Sequence, residues 1–250
     1  MRIKKATRLY CGTSNIMLPV RNKTFFPAEY RNKSRLTYYA SLLNSLEVNS
    51  TFYKLPLPRT VARWVAEVPD DFRFTFKLWR EVTHAKGFLY DDNQIDAFLN
   101  AVHPAIVKAG CLLVQFPQSI KFSQIRRVNV LLQYLTTHKL YEGWKLAVEF
   151  RDASWYNDTV WEMLDKYEVA VVQHDMPRST TPDIDLVAAV AYLRFHGQAG
   201  DYRGSYPDDV LADYASYIKQ LLKQGKDVYV YFNNTIGGAI HNALDLQKLL

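Results

Sequence analysis

The chain has 250 residues, of which 48% are hydrophobic and 22% charged, values of an ordinary globular protein rather than a disordered or fibrous one. Its formal charge of +6 and sequence pI near 9.1 permit nucleic acid or anionic small molecules as partners, but no block of like charge appears. No run approaches the ~18 apolar residues of a membrane span, and no signal-length apolar stretch follows the basic Met1-Arg-Ile-Lys-Lys5, so a cytoplasmic protein without a membrane role is expected.

Eight short apolar runs read as strands. In chain order they are 8–14, 45–49, 72–77, 111–115, 144–151, 169–175, 191–196 and 228–234. Amphipathic segments lie between them. Ser34 is a plausible N-cap for a helix over 34–44, and Pro58 suits the first turn of a helix over 58–68 with Val61, Trp64, Val65 and Val68 on one stripe. Further helices are expected over 95–107, 128–135, 159–167, 210–222 and 239–250. Strand and helix thus alternate from end to end, which predicts a parallel sheet covered by helices.

One connection breaks the alternation. Met176-Pro-Arg-Ser-Thr-Thr-Pro-Asp183 is too rich in proline and small polar residues for a crossover helix. The expectation is a single α/β domain over 1–250, a (β/α)8 TIM-type barrel with a reduced or missing sixth helix. An open doubly wound sheet is the structural rival. Cys11 and Cys111 both fall inside strand runs, where a free cysteine acts as a small buried hydrophobe, so no disulfide framework is expected. The segments 15–32 and 78–92 are long connections of the kind that carry lids and substrate contacts.

Several runs change from apolar to polar at their C-terminal ends, where a barrel of this type builds its active site. Side-chain alternation sorts each run into two faces. Phe72, Phe74, Phe76 and Leu78 form the outer parity of the third run, leaving Arg73, Thr75 and Lys77 inward. The same test turns Glu47, Asn49, Gln115, Glu149, Arg151, Tyr192, Arg194 and His196 toward the axis. It leaves His174 or Asp175, and Asn233 or Asn234, open as the inward groups of the sixth and eighth runs. Three fixed cations, Lys77, Arg151 and Arg194, then face two carboxylates, a nearly balanced cluster with a basic lean.

At these residues the chain resembles the YecE-like family, catalogued as a domain of unknown function. The resemblance rests on Cys11-Gly-Thr-Ser14, Phe25-Phe-Pro27, Leu46-Glu-Val-Asn-Ser-Thr-Phe-Tyr53, Phe76-Lys77, Thr83-His84, Gln115-Phe-Pro117, Glu149-Phe-Arg-Asp-Ala-Ser-Trp155, Arg194-Phe-His-Gly197, Phe232-Asn-Asn234, Ala239 and Asn242-Ala243. These motifs recur in order along essentially the whole chain. The resemblance implies a TIM-barrel fold and supplies no activity. Two departures lie in the first connection: Asn15 stands where members usually carry glycine, and 22–27 lacks the usual Trp-Gly pair.

The candidate catalytic residues are Glu47, Lys77, Glu149, His84 and His196. Asn49, Tyr53, Gln115, Arg151, Asp175, Arg194, Tyr202, Asn233 and Asn234 are the candidate substrate contacts. Glu47 and Glu149 suit an acid–base or glycosidase-type pair, or else ion pairs in which arginines hold Glu149 and Lys77 holds Glu47. Lys77 suits a fixed cation for an anionic substrate, or a Schiff-base amine if burial and neighbouring cations lower its pKa. The carboxylates and histidines are metal-ligand types, but the three cations would repel a metal, so none is expected. Gly237-Gly238 before a helix is a weak signal for phosphate binding. No cofactor can be assigned. The reading is an enzyme acting on a small anionic or polyhydroxylated metabolite by acid–base chemistry. The alternatives are a nucleic-acid-binding or processing protein, which needs a clustered basic surface, and a non-catalytic binding barrel.

Overall fold

The computed structural model describes residues 8–184 and 186–250; the basic segment Met1-Arg-Ile-Lys-Lys5 lies outside the described residues. Eight strands form one parallel sheet: β1 (Leu9–Thr13), β2 (Ser45–Val48), β3 (Arg73–Lys77), β4 (Ala109–Phe116), β5 (Lys145–Phe150), β6 (Ala170–His174), β7 (Val190–Phe195) and β8 (Asp227–Phe232). From β2 to β8 each strand pairs with the next in sequence, and β8 pairs back onto β1. A parallel bridge from Ser14 to Glu47 joins the remaining edges. The chain is therefore an α/β barrel of the TIM type, and the open-sheet alternative falls.

The helices are α1 (Arg35–Ala40), α2 (Ser50–Tyr53), α3 (Pro58–Ala66), α4 (Arg80–Thr83), α5 (Asp92–Val102), α6 (Ile125–Thr137), α7 (Asp158–Lys166), α8 (Asp208–Lys223) and α9 (Ala239–Lys248). Local sequence explains their starts. Ser34 Oγ accepts the Thr37 amide at 3.0 Å, and Pro58 opens α3. Asp91 and Gln94 form a capping box at α5. The expected helix over 95–107 divides at His103-Pro104 into α5 and a 3₁₀ turn, because proline cannot donate the amide that an α-helix interior requires. Among the described residues no helix spans 175–189, so β6 and β7 connect through a loop, as the prolines predict.

The barrel has two apolar layers. Outward side chains such as Phe74, Phe76, Leu112, Val114, Phe150 and Leu193 pack with the helices. A separate cluster fills the lower interior with Tyr10, Cys111, Leu113, Ala147, Val172, Tyr192, Tyr229 and Tyr231. Both cysteines are buried and free. Above this plug the interior turns polar.

Closure between β1 and β2 depends on side chains. Asn44 donates to Leu9 O at 2.8 Å and accepts from Cys11 N at 2.9 Å. Tyr39 OH accepts from Thr13 N at 2.8 Å and donates to Ser45 O at 2.9 Å. Gly12 is required here, since an added Cβ would sit 2.1 Å from Ser45 O. Buried backbone groups of the seam that lack ladder partners are thus still hydrogen-bonded. Tyr39→Phe strands a buried donor and a buried acceptor, a loss of about 2–4 kcal/mol. Calorimetry should show its Tm lower by roughly 5–15 °C; an unchanged Tm contradicts this account of closure.

Candidate functional site

The C-terminal ends of the strands bring the charged residues together. Glu47 on β2, Glu149 on β5 and Arg194 on β7 are all at most 1% exposed. The Arg194 guanidinium sits between the two carboxylates. Its Nε and Nη2 donate to Glu47 at 2.8 to 3.1 Å, and Nη1 donates to Glu149 Oε2 at 2.9 Å. Glu47 also accepts from Ser14 Oγ at 2.5 Å and from Tyr192 OH. Asn49, with its amide oriented by the hydrogen-bond network, places nitrogen 3.1 Å from Glu47 Oε1 and oxygen 3.3 Å from Arg194 Nη2. The second oxygen of Glu149 is taken by Arg151 Nε.

This bonding fixes the charge states. Burial alone pushes the Glu47 carboxyl up, but the Arg194 charge and the bonds from Arg194, Ser14 and Tyr192 outweigh it, and the net shift is down. Burial likewise opposes Glu149, yet Arg151 and Arg194 hold it well below the usual carboxylate range. Both are carboxylates at neutral pH. Glu47 pairs with Arg194 and not with Lys77, contrary to one of the pairings read from sequence.

His196 is buried beside this clamp. Its Nε2 lies 2.9 Å from Arg151 Nη2 and 3.1 Å from Arg194 Nη1, both donors, so Nε2 accepts and Nδ1 carries the proton toward Asp175 Oδ1 at 3.3 Å. Burial, only partly offset by the Asp175 hydrogen bond, lowers its pKa to about 4. Its contacts with carboxylates are therefore not ion pairs at neutral pH. Asp175 turns away from the axis, accepting from the His196 amide at 2.8 Å and from Tyr206 OH.

Lys77 stands apart from the clamp. At the end of β3 it is 9% exposed, and its Nζ donates to Gln115 Oε1 at 2.8 Å from above the Phe52 ring, 4.1 Å from the centroid. Among the described residues it has no carboxylate within ion-pair distance. Burial first, then the Arg194 charge, lowers its pKa, Glu149 and Glu47 oppose this from a distance, and the result is about 7. His84 packs edge-on against the same Phe52 ring at 4.8 Å, with Thr83 Oγ1 2.9 Å from its Nδ1. Burial and the Lys77 charge bring His84 to about 4. A half-protonated amine and a neutral imidazole thus share one aromatic platform.

The other expected contacts divide. Parity gives the inward place to His174 on β6, with Nε2 2.9 Å from Phe150 O, and to Asn233 after β8. Asn234 faces the α9 connection, donating to Gly204 O and Asn242 Oδ1 at 3.0 Å, while its own buried Oδ1 has no partner among the described residues. Tyr202 meets the His196 ring edge-on at 5.7 Å, whereas Tyr53 on α2 is 70% exposed. The Gly237-Gly238 signal has another explanation. A Cβ at Gly237 would lie 2.2 Å from Gly204 O, and both glycine amides bond protein carbonyls, so they form no phosphate cradle here. Among the described residues no group of three or more His, Cys, Asp or Glu is arranged to hold a metal ion.

Ser14, Phe52 and Tyr192 were not selected from sequence as site residues. Parity already turned Tyr192 inward. Phe52 lies on α2, four residues long and too short to show a helical period.

The family model described as "Protein of unknown function DUF72" matches residues 10–250. The chain belongs to the DUF72 family. It is 25% identical to the UPF0759 protein YunF of Bacillus subtilis over 91% of this chain and 90% of that protein. It is 35% identical to the UPF0759 protein YecE of Escherichia coli over 33% of this chain and 30% of that one. A DUF72 family crystal structure from Thermotoga maritima is 28% identical with a TM-score of 0.77, covering 97% of this chain and 98% of the other. One from Enterococcus faecalis, 23% identical with a TM-score of 0.79 over 97% and 95% of the two chains, shows the same fold.

Within the DUF72 pattern the Asn15 departure has a local explanation. Its φ is +67°, a left-handed conformation that glycine adopts freely and asparagine tolerates better than most residues. Its amide reaches Glu47 O at 2.8 Å and its Oδ1 accepts the Asn49 amide at 3.2 Å. The substitution thus keeps the turn that carries the Glu47 end of the clamp.

Two outcomes follow for this DUF72 barrel. Arg194→Met leaves two buried carboxylates without their shared cation and should cost about 3–5 kcal/mol in a urea titration; a loss under about 1 kcal/mol contradicts the clamp. The buried histidines set the pH dependence. His196 takes up a proton near pH 6.5 when unfolded and near pH 4 when folded. Its stabilising contribution is therefore complete above about 6.5, and a few kcal/mol are lost as pH falls toward 4. The depressed Glu47 and Glu149 add a further loss below about 4.3, the unfolded glutamate value. Urea midpoints should fall from pH 7 to 4.5, and a flat profile contradicts these assignments.

Proposed function

We propose that the chain is an enzyme acting on a small anionic metabolite, with proton-transfer chemistry run by Lys77 and His84 at the barrel mouth. One observation carries the reading. Lys77 is a buried amine whose nearby carboxylates are committed to arginines, so it is half deprotonated at neutral pH. A base poised near the operating pH is the most effective one, and perturbed pKa values cluster at functional sites.

The remaining groups take supporting parts. Glu47 and Glu149, both ionised and saturated with hydrogen bonds, are unsuited to donate a proton; they position Arg194 and Arg151. Arg151 is 13% exposed at its side chain, and its Nη1 has no hydrogen bond among the described residues, so it is available to an anionic group. Gln115, bonded to Lys77 Nζ, supplies a neutral amide next to the amine. Arg194 between Glu47 and Glu149 leaves one negative charge that Arg151 neutralises, so the attraction for an anion is local, from the open Nη1 of Arg151 and from Lys77 in its protonated form.

A thermal-shift screen of phosphorylated and carboxylated metabolites at pH 7 tests this reading. At least one anion should raise the Tm of wild type, and Arg151→Ala should lose most of that shift. Turnover of the ligand so found should rise with pH through about 7 and be absent in Lys77→Met. No response across the panel, or a rate indifferent to Lys77→Met, contradicts the proposal.

A further inference from the structure

We infer that Lys77 forms a covalent imine with its substrate, and that this substrate is a short carbonyl compound ending in a phosphate or carboxylate. The anion lies in the cavity between Arg151 and Arg178. This deepens the proposed function and rests on it, adding bond formation to carbon and a place for the anion.

The geometry around Lys77 is that of a nucleophile rather than an ion-pair partner. Among the described residues Nζ makes one hydrogen bond, to Gln115, and its other side rests on the Phe52 ring. The committed carboxylates leave no local counter-ion to keep the nitrogen protonated, and Arg194 and Arg151 act on it as like charges. A cavity of about 460 Å³ opens beyond Arg151, lined also by Gln118, Arg178, Ser179 and Gly200. It lies where the loops after β4 to β7 meet. Arg151 thus belongs to both places, facing Lys77 electrostatically and lining the cavity. Lys77 and Arg151 stand on β3 and just past β5, two strand spacings or about 10 Å apart along the sheet. Side chains converging from that separation leave room for a compound of a few carbons, with its carbonyl at Lys77 and its anion between the arginines. Two guanidiniums match either anion.

The step balances without a cofactor. The Lys77 lone pair forms a bond to the carbonyl carbon while the C=O π pair moves to oxygen. Nitrogen then gives up a proton, the oxygen takes up that proton and one from solvent and leaves as water, and nitrogen shares its electrons to form the iminium. Amine, carbonyl and one proton become iminium and water. With Lys77 committed to substrate, His84 on the same Phe52 platform is the neutral base for the next proton transfer.

The test is reductive trapping of the intact protein at pH 7 with cyanoborohydride and three probes: glycolaldehyde phosphate, glyoxylate and plain glycolaldehyde. Peptide mapping by mass spectrometry reads the modified lysines. Lys77 should be labelled at least tenfold above the mean of the other lysines by an anionic aldehyde, and several-fold less by glycolaldehyde. Whichever anionic probe labels faster identifies phosphate or carboxylate. Arg178→Ala, a change at an exposed residue, should cut that labelling about fivefold without altering the Tm. Labelling of Lys77 no greater than that of surface lysines overturns the covalent step. Equal labelling by glycolaldehyde overturns the anion subsite. A Tm rise with the anions but no Lys77 adduct sinks this inference alone; neither effect sinks the proposed function with it.

Discussion

The barrel mouth is organised by one guanidinium. Arg194 is buried between Glu47 and Glu149, and each carboxylate is then completed by further donors, Ser14 and Tyr192 on one side and Arg151 on the other. Burying these charges is costly unless every oxygen is met, and here the hydrogen bonds meet them. The consequence reaches beyond the clamp. Burial lowers the Lys77 pKa first, and with the carboxylates taken by arginines no ion pair among the described residues restores its charge. His196, which accepts from two arginines, is neutral chiefly because it is buried.

The seam between β1 and β2 ties the fold to that clamp. The last strand pair meets at Ser14 and Glu47, two residues that also hydrogen-bond through their side chains. Asn15, in its left-handed turn, accepts the Asn49 amide just above. Closing the barrel and placing the first carboxylate are therefore one structural event. The unhelical β6–β7 connection has a related effect. It frees the loop carrying Arg178 and Ser179 to border the mouth, where a full crossover helix would lie on the outer face.

Much of this was legible in the sequence because strands buried on both faces still alternate where one face turns polar. Phe74 and Phe76 against Thr75 and Lys77, or Val148 and Phe150 against Glu149 and Arg151, sort without ambiguity. The sixth strand does not sort, since Val171 and Val172 are apolar on both sides, and only the register shows that His174 points inward. Aromatic residues on the inner face of β8 hid Asn233 in the same way. Pairing choices were less accessible. Glu47 and Arg194 are 147 residues apart, and nothing local signals that Arg194 rather than Lys77 would meet Glu47. The short helices α2 and α4, which carry Phe52 and lead to His84, are too brief to leave a period.

Arginines hold the carboxylates and leave the buried Lys77 amine without a counter-ion among the described residues, and the titration of that amine reports it. With ¹³C-labelled lysine and Lys77→Arg to assign the signal, NMR should show its Cε resonance titrating near pH 7, well apart from the other lysines. Titration in the usual range near 10.4 would mean that the amine is either wet or met by a carboxylate, and the buried, unpaired Lys77 described here would be wrong.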